Sequence, residues 1–194
     1  MGDANGGQDL AIFCRQVRAR SSELQEAMQL LAERGLASVT VGILRQELDS
    51  MVRVMFLLAQ RNRVLRTQLI EDSVRGHRWR VPTATGKATF VTDTQLVELG
   101  DSFTGWARNV YRFGCSYIHL SNLHDHQARD PFQALSLDER DAISGQLNQY
   151  HGARLSTESN FAEVAQWVPS VLGKISTNLE LYLKQLEVDG DLVS

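Results

Sequence analysis

Four polar residues in the segment 109–119 are spaced so that they could handle a phosphate group. Asn109, Arg112, Ser116 and His119 follow one another at steps of three, four and three residues, which predicts that their side chains share one stripe of an α-helix. The guanidinium group of arginine is planar and permanently charged, and its N–H groups can donate hydrogen bonds to phosphate oxygens. Histidine can accept and release protons near neutral pH. Such a set could cleave RNA without a metal ion, if histidine deprotonates or positions a ribose 2′-hydroxyl for attack on the adjacent phosphorus. We take these four residues as the candidate catalytic set.

The same residues also have a structural interpretation. Arg112 and His119 could form a buried polar pair that hydrogen-bonds another helix, for which Glu47 and Asp49 of a preceding predicted helix supply carboxylates. Burial of Arg112 against those acids would indicate a structural role, whereas an open cleft would indicate a functional one. The spacing alone leaves both interpretations open.

A second group of titratable residues is a cluster of histidines, whose side chains, like carboxylates, are ligands for zinc, iron or manganese. No Glu-x-x-His pair of the kind found in di-iron bundles accompanies them. A metal site is therefore a weaker alternative, and we otherwise expect no cofactor, with the histidines capping helix ends or bonding loop carbonyls. The cluster consists of His119, His124, His126 and His151, with Asp125 and Asp130 between them.

Residues 73–92 form a basic segment without helical periodicity. Gly76, Pro82 and Gly86 predict a long loop or a small hairpin. The segment contains no acidic residue, and basic side chains beside aromatic ones can bind single-stranded nucleic acid by phosphate neutralisation and base stacking. The alternative is a connector whose Trp79 packs on the helices and whose charges face solvent. The candidate nucleic-acid contacts are Arg75, Arg78, Trp79, Arg80 and Lys87.

The elements that must position these groups are predicted to be helices. Apolar residues recur at steps of three and four in segments at about 10–35, 40–70, 92–120, 136–150, 161–168 and 169–188. Thr92 with Gln95 and Ser136 with Glu139 have the spacing of capping boxes, and Gly35 and Gly152 are typical helix stops. The predicted fold class is all-α, an up-and-down bundle of five to six helices with one long basic loop or hairpin at about 73–92.

Composition limits the classes of protein to which the chain can belong. At 194 residues with 43% hydrophobic and 22% charged residues, it has the balance of one globular domain, which we expect at 9–188 between disordered tails at 1–8 and 189–194. Cys14 and Cys115 lie in segments that both predict helix, so we expect free thiols. An acidic, glycine-rich N-terminus and no long apolar run predict a cytoplasmic protein without a membrane partner. The net charge of −3 argues against a uniformly basic nucleic-acid binder.

The stretch RNVYRFGCSYIHLS, in which six residues separate Arg112 from His119, resembles the Arg-x4-6-His signature of HEPN-domain proteins. The earlier stretch RQELDSMVRVMFLL is similar to the long second helix of uncharacterised members of that superfamily. The resemblance covers about residues 40–125. It implies a small helical bundle that forms a homodimer, and a metal-independent endoribonuclease or toxin of a bacterial defence or toxin–antitoxin system. Arg112 and His119 would be its catalytic pair, assisted by Asn109 or Ser116.

This chain departs from the usual HEPN signature at one position. Residue 113 after the arginine is commonly polar in catalytic members, but here it is Phe113. Several relatives with an altered motif bind RNA or protein partners without cleavage. A non-catalytic interaction or RNA-binding module is therefore the alternative function.

Overall fold

In the computed structural model of the chain, residues 3–83, 85–119, 121–125 and 128–192 are described. These residues form eight α-helices and one short antiparallel hairpin, so the predicted all-α fold class is confirmed. The helices are α1 (Asp3–Glu33), α2 (Ala37–Ala59), α3 (Arg63–Val74), α4 (Asp93–Thr104), α5 (Ala107–Ile118), α6 (Leu137–His151), α7 (Phe161–Ala165) and α8 (Val168–Glu187). The hairpin strands are β1 (Arg80–Pro82) and β2 (Ala88–Phe90), with Arg80 opposite Phe90 in the register.

The helices outnumber the predicted five to six because two predicted helices are each divided. Asn62 ends the run from α2 and starts α3, because its side chain accepts hydrogen bonds from the backbone N–H groups of Val64 and Leu65. Gly105 divides the predicted helix 92–120 because its φ of 71° lies in the left-handed region, where α4 ends. The second break matters for function, since it gives the candidate site a short helix of its own.

Several local signals behave as the sequence predicts. Both capping boxes form, with Thr92 and Gln95 at α4 and with Ser136 and Glu139 at α6. Gly152 ends α6 with a φ of 68°. These signals are reliable because they satisfy backbone groups within one turn of helix and need no distant partner.

Helix α2 is the centre of the fold. It packs most extensively against α8 and α5, and also against α1 and α4. Most of its length is buried, including Leu48, Met51 and Met55, which have no or almost no exposed surface. Helices on several sides explain why α2 carries apolar residues around most of its circumference.

A carboxyl group lies inside this apolar core. Glu47 of α2 is completely buried and accepts hydrogen bonds from the hydroxyl of Ser21 at 2.5 Å and from the hydroxyl of Ser176 at 2.7 Å. Ser21 belongs to α1 and Ser176 to α8. One carboxyl group therefore joins three helices at the centre of the molecule.

Both ends of the described chain are ordered beyond the predicted domain limits. Helix α1 begins at Asp3, inside the segment for which a disordered tail is predicted. At the other end, the buried Arg66 donates hydrogen bonds to the carbonyl of Gly190 at 2.8 Å and the carboxylate of Asp189 at 3.0 Å. It also donates to the carbonyl of Leu58 at 2.9 Å. The segment after α8 is therefore held against the junction of α2 and α3.

Neither cysteine forms a disulfide, as predicted. Cys14 is buried on α1, and burial raises the pKa of its thiol to about 11. None of the helices in the described part of the chain combines the length and the apolar character needed to cross a membrane.

The central carboxyl group gives a test of this packing. We expect Glu47→Ala to lower the free energy of unfolding by roughly 3 kcal/mol, because it leaves two buried hydroxyls without their acceptor and creates a cavity. Glu71→Ala removes a partly exposed i,i+4 pair with Arg75 and should cost less than about 1 kcal/mol. Urea unfolding of both variants measures the difference. Equal, small losses would contradict the central role of Glu47.

Candidate functional site

Helix α5 is held against α2 by an arginine. The Cα of Gly114 packs so closely on Arg45 that a methyl group added there would lie 2.6 Å from the Cβ of Arg45. The guanidinium of Arg45 lies over the ring of Tyr111 at 4.1 Å and donates to Asp93 at 3.4 Å. Arg45 is only 6% exposed. A glycine is therefore required at position 114 if the two helices are to approach this closely.

The buried side of α5 also carries aromatic rings. The rings of Phe113 and Tyr117 meet edge to face with their centres 5.3 Å apart, and Tyr117 stacks on Phe161 at 5.4 Å. Burial raises the pKa of Tyr117, with Asp130 adding to the effect. These contacts fix the rotation of α5, and they explain why residue 113 is apolar.

Three of the four candidate catalytic residues lie on one surface of α5. Asn109, Arg112 and Ser116 line a small depression of about 30 Å³ between α5 and the start of α6. Ser116 donates its hydroxyl proton to the carbonyl of Arg112 at 3.2 Å. The other residues around the depression are Phe113, Leu135, Glu139 and Ile143. The depression is thus a polar surface with an apolar wall.

The guanidinium of Arg112 is exposed and makes no hydrogen bond or ion pair with any described residue. Glu139 is the acidic residue beside it. The pKa of Glu139 is lowered chiefly by its hydrogen bonds with Ser136, and the positive charge of Arg112 contributes to the same direction. Arg112 can therefore receive an anion from solvent, in partial competition with Glu139.

His119 caps the C-terminus of α5, where its backbone N–H donates to the carbonyl of Cys115 at 3.2 Å, and its side chain does not join the other three candidate residues. Helix α5 ends at Ile118, and His119 follows it with extended backbone angles of −98° and 142°. Its exposed side chain lies past the helix end and does not line the depression formed by Asn109, Arg112 and Ser116. The repeat of apolar and polar residues does not predict this outcome, because it does not show at which residue the helix ends.

The structural interpretation of Arg112 is not supported, because the acids it requires are engaged elsewhere. Glu47 binds the two serines of α1 and α8. Asp49 accepts from Arg53 at 3.0 Å and lies 3.6 Å from Arg20. Arg112 is exposed on α5 and contacts neither acid.

The histidine cluster does not form a metal site among the described residues. No three His, Cys, Asp or Glu side chains lie close enough together to hold a metal ion in the described ranges, which are 3–83, 85–119, 121–125 and 128–192. The backbone N–H of Ser121 donates a hydrogen bond to Nδ1 of His124 at 3.3 Å, and His151 lies in the last turn of α6. His126 is outside the described residues. The weaker metal alternative therefore gains no support from His124 and His151.

The basic segment forms a hairpin, and Trp79 anchors it. Trp79 is only 4% exposed, stacks on Phe56 with ring centres 5.7 Å apart, and donates its indole N–H to the hydroxyl of Ser73 at 2.7 Å. The guanidinium of Arg53 lies 5.4 Å from the Trp79 ring centre. The prediction that Trp79 stacks on a nucleobase is therefore wrong, because this ring is used to attach the hairpin to α2.

The cationic residues of the hairpin remain accessible. Arg78 and Arg80 are exposed, and their guanidinium carbons lie 4.2 and 4.4 Å from the ring centre of Phe90. Arg75 forms an i,i+4 ion pair with Glu71 at 2.5 Å, and Lys87 is exposed near the hairpin turn. Phe90, at 38% exposure, takes the place of Trp79 as the aromatic ring that solvent can reach.

The structure adds two arginines that sequence reasoning missed. Arg20 of α1 and Arg53 of α2 line a groove of about 700 Å³ together with His77 and Arg78. We call this surface the basic groove. Asp93 also lines it and lies 3.5 Å from Arg53, so the positive charge is partly compensated. No sequence signal joins Arg20 and Arg53, because the two residues are 33 positions apart and belong to different helices.

Comparison with protein-family models, with curated proteins and with solved structures gives no match to this chain. The function therefore has to be inferred from the residues of the site.

The fit of α5 on α2 can be tested with two glycines. We expect Gly114→Ala to destabilise the protein by about 1–3 kcal/mol, because the added methyl group collides with Arg45. Gly145→Ala is the matched control on α6, where an added methyl group has no neighbour within 4 Å. It should stabilise the helix by up to about 1 kcal/mol. Thermal unfolding of the two variants should shift in opposite directions, and a shared direction would refute the proposed contact.

Proposed function

We propose that the protein is a HEPN-like, metal-independent endoribonuclease that uses the polar surface of α5. The observation that carries the proposal is the exposed guanidinium of Arg112, which forms no hydrogen bond or ion pair with a residue that the structure describes. An arginine that only stabilised the fold would be expected to have an acidic partner or a buried carbonyl. Its position beside Asn109 and Ser116 supports a role in binding an anion from solvent.

In this proposal each residue has a separate task. Arg112 binds the non-bridging oxygens of the phosphodiester and stabilises the added negative charge in the transition state. His119 accepts the proton of the 2′-hydroxyl as the O2′–P bond forms and the P–O5′ bond breaks. The products are a 2′,3′-cyclic phosphate and a 5′-hydroxyl, whose oxygen takes a proton from solvent. Asn109 donates hydrogen bonds that orient the phosphate, and Ser116 does so once its hydroxyl proton turns from the carbonyl of Arg112 to the phosphate.

The wider setting follows from the resemblance to HEPN domains. The protein would act as a cytoplasmic homodimer in a bacterial defence or toxin–antitoxin system. A partner helix could contribute to the site, since Ile118 at the end of α5 is 51% exposed and Leu137 at the start of α6 is 61% exposed.

The test is cleavage of labelled single-stranded RNA in the presence of EDTA. We expect Arg112→Ala and His119→Ala each to lower the cleavage rate by roughly a hundredfold or more. Arg15→Ala is the matched control, because Arg15 is an exposed arginine of α1. An RNA with a 2′-deoxy residue at the cleavage position should resist the enzyme. Full activity of both site variants would refute the proposal.

The second candidate is RNA binding without cleavage, and the absence of His119 from the lining of the depression favours it. A general base must reach the hydroxyl it deprotonates, and His119 does not line the depression of Arg112. The basic groove and the exposed Arg78 and Arg80 would then be the binding surface. This function needs positive charge and an accessible ring, but no proton transfer.

Binding is measured with 2′-O-methyl RNA, which cannot form the cyclic phosphate. We expect the double variant Arg78→Ala/Arg80→Ala to weaken binding and to reduce the salt-dependence slope by about 1.4, because roughly 0.7 of a counterion is released per phosphate contact. Arg15→Ala/Arg61→Ala removes two exposed arginines elsewhere and serves as control. Unchanged slopes in the hairpin variant would exclude the basic groove as the RNA site.

A further inference from the structure

A second cavity lies deeper between α5, α6 and α8, and its lining is almost entirely apolar. Its volume is about 70 Å³, several times the roughly 10–15 Å³ that one water molecule needs. The inner wall is formed by Leu44, Val164 and Ile175, which are at most 4% exposed. Such a space suits a small ring or a short alkyl chain better than water.

The opening of the cavity can be located from the exposure of its lining. Tyr150 is 41% exposed and Lys174 is half-buried, whereas the inner wall is closed. The ammonium group of Lys174 lies 4.5 Å from the centre of the Tyr150 ring. The ammonium group of Lys174 therefore lies at the solvent side of the apolar cavity.

The charge of this cavity is positive. Neither Asp nor Glu is among its lining residues, and Lys174 forms no ion pair with a described residue. His151 also lines the cavity, and its pKa is lowered first by burial and then by the charge of Lys174. Both effects favour the neutral form of His151, so the permanent positive charge of the lining belongs to Lys174.

We propose that this cavity binds a small hydrophobic carboxylic acid, with its apolar part against Val164 and Ile175 and its carboxylate on the ammonium group of Lys174. An anion at this position gains a charge-assisted hydrogen bond. Asn109 and Gln146 are the two amide residues of the lining, and the Gln146 amide donates to the carbonyl of Gly105 at 3.0 Å. The apolar lining excludes a polyanion, which would require several cations.

This site does not depend on RNA cleavage, although it adjoins the surface of α5. Asn109 and Phe113 line both the cavity and the depression that contains Arg112. Lys174 and His151 belong only to the cavity. A ligand can therefore be tested without an RNA substrate.

The experiment compares 3-phenylpropanoate with its neutral amide by isothermal titration calorimetry at pH 7. We expect the carboxylate to bind at least about tenfold more tightly than the amide, since a charged hydrogen bond is stronger than a neutral one. Lys174→Gln should reduce carboxylate binding by a similar factor and leave amide binding unchanged. Lys184→Gln, which removes another lysine of α8 that is exposed and lies near Glu180, is the matched control and should behave as the parent protein.

A second variant tests the location. Val171→Trp places a large ring among the lining residues of the cavity and should abolish binding of both compounds, while circular dichroism confirms that the helices are intact. Three results would each overturn the proposal. The first is equal affinity for the acid and the amide, and the second is unchanged carboxylate affinity in Lys174→Gln. The third is undiminished binding in a folded Val171→Trp protein. Absence of carboxylate binding to the parent protein at millimolar concentration would do the same.

Discussion

The carboxyl group of Glu47 lies in the apolar centre of the molecule, where it accepts hydrogen bonds from serines of α1 and α8. Its Oε1 atom accepts both hydrogen bonds, whereas Oε2 is buried without a hydrogen-bond partner among the described residues. Because a buried carboxyl group is costly without hydrogen bonds, these two bonds favour one relative position of the three helices. This pairing also fixes the rotation of α2 about its axis. Arg45 is two residues away, or about 200° around the helix, and consequently faces the opposite side, where α4 and α5 pack.

The exposure of the candidate site follows from that rotation. Helix α5 packs against Arg45 at Gly114, where any side chain would collide with Arg45. Arg112 precedes Gly114 by two residues, so its side chain points about 200° away from the contact. The close approach at Gly114 therefore directs Arg112 to solvent. The same helix places its rings against Phe161 and turns Asn109 and Ser116 towards α6.

The second basic surface depends on α2 as well, although on a different part of it. Arg53 lies against Trp79 and binds Asp49, and thus links the hairpin to α2. The buried ring attaches the hairpin, while Arg78, Arg80 and Phe90 remain outside. Side chains alternate between the two faces of an extended strand. Trp79 therefore points to the helices while its neighbours Arg78 and Arg80 point to solvent. The hairpin thereby presents its positive charges to solvent.

The sequence by itself determined the all-α class, the capping boxes, the helix stops at Gly35 and Gly152, and the free cysteines, because each of these depends on residues within a few positions of one another. It also placed Asn109, Arg112 and Ser116 on one face of a helix. Only the tertiary structure decided that Trp79 is buried, that Glu47 joins three helices, and that Arg20 and Arg53 share a groove. It also decided that the helix ends before His119. The physical reason is that burial and pairing between distant segments are settled by the packing of whole helices, on which local periodicity carries no information.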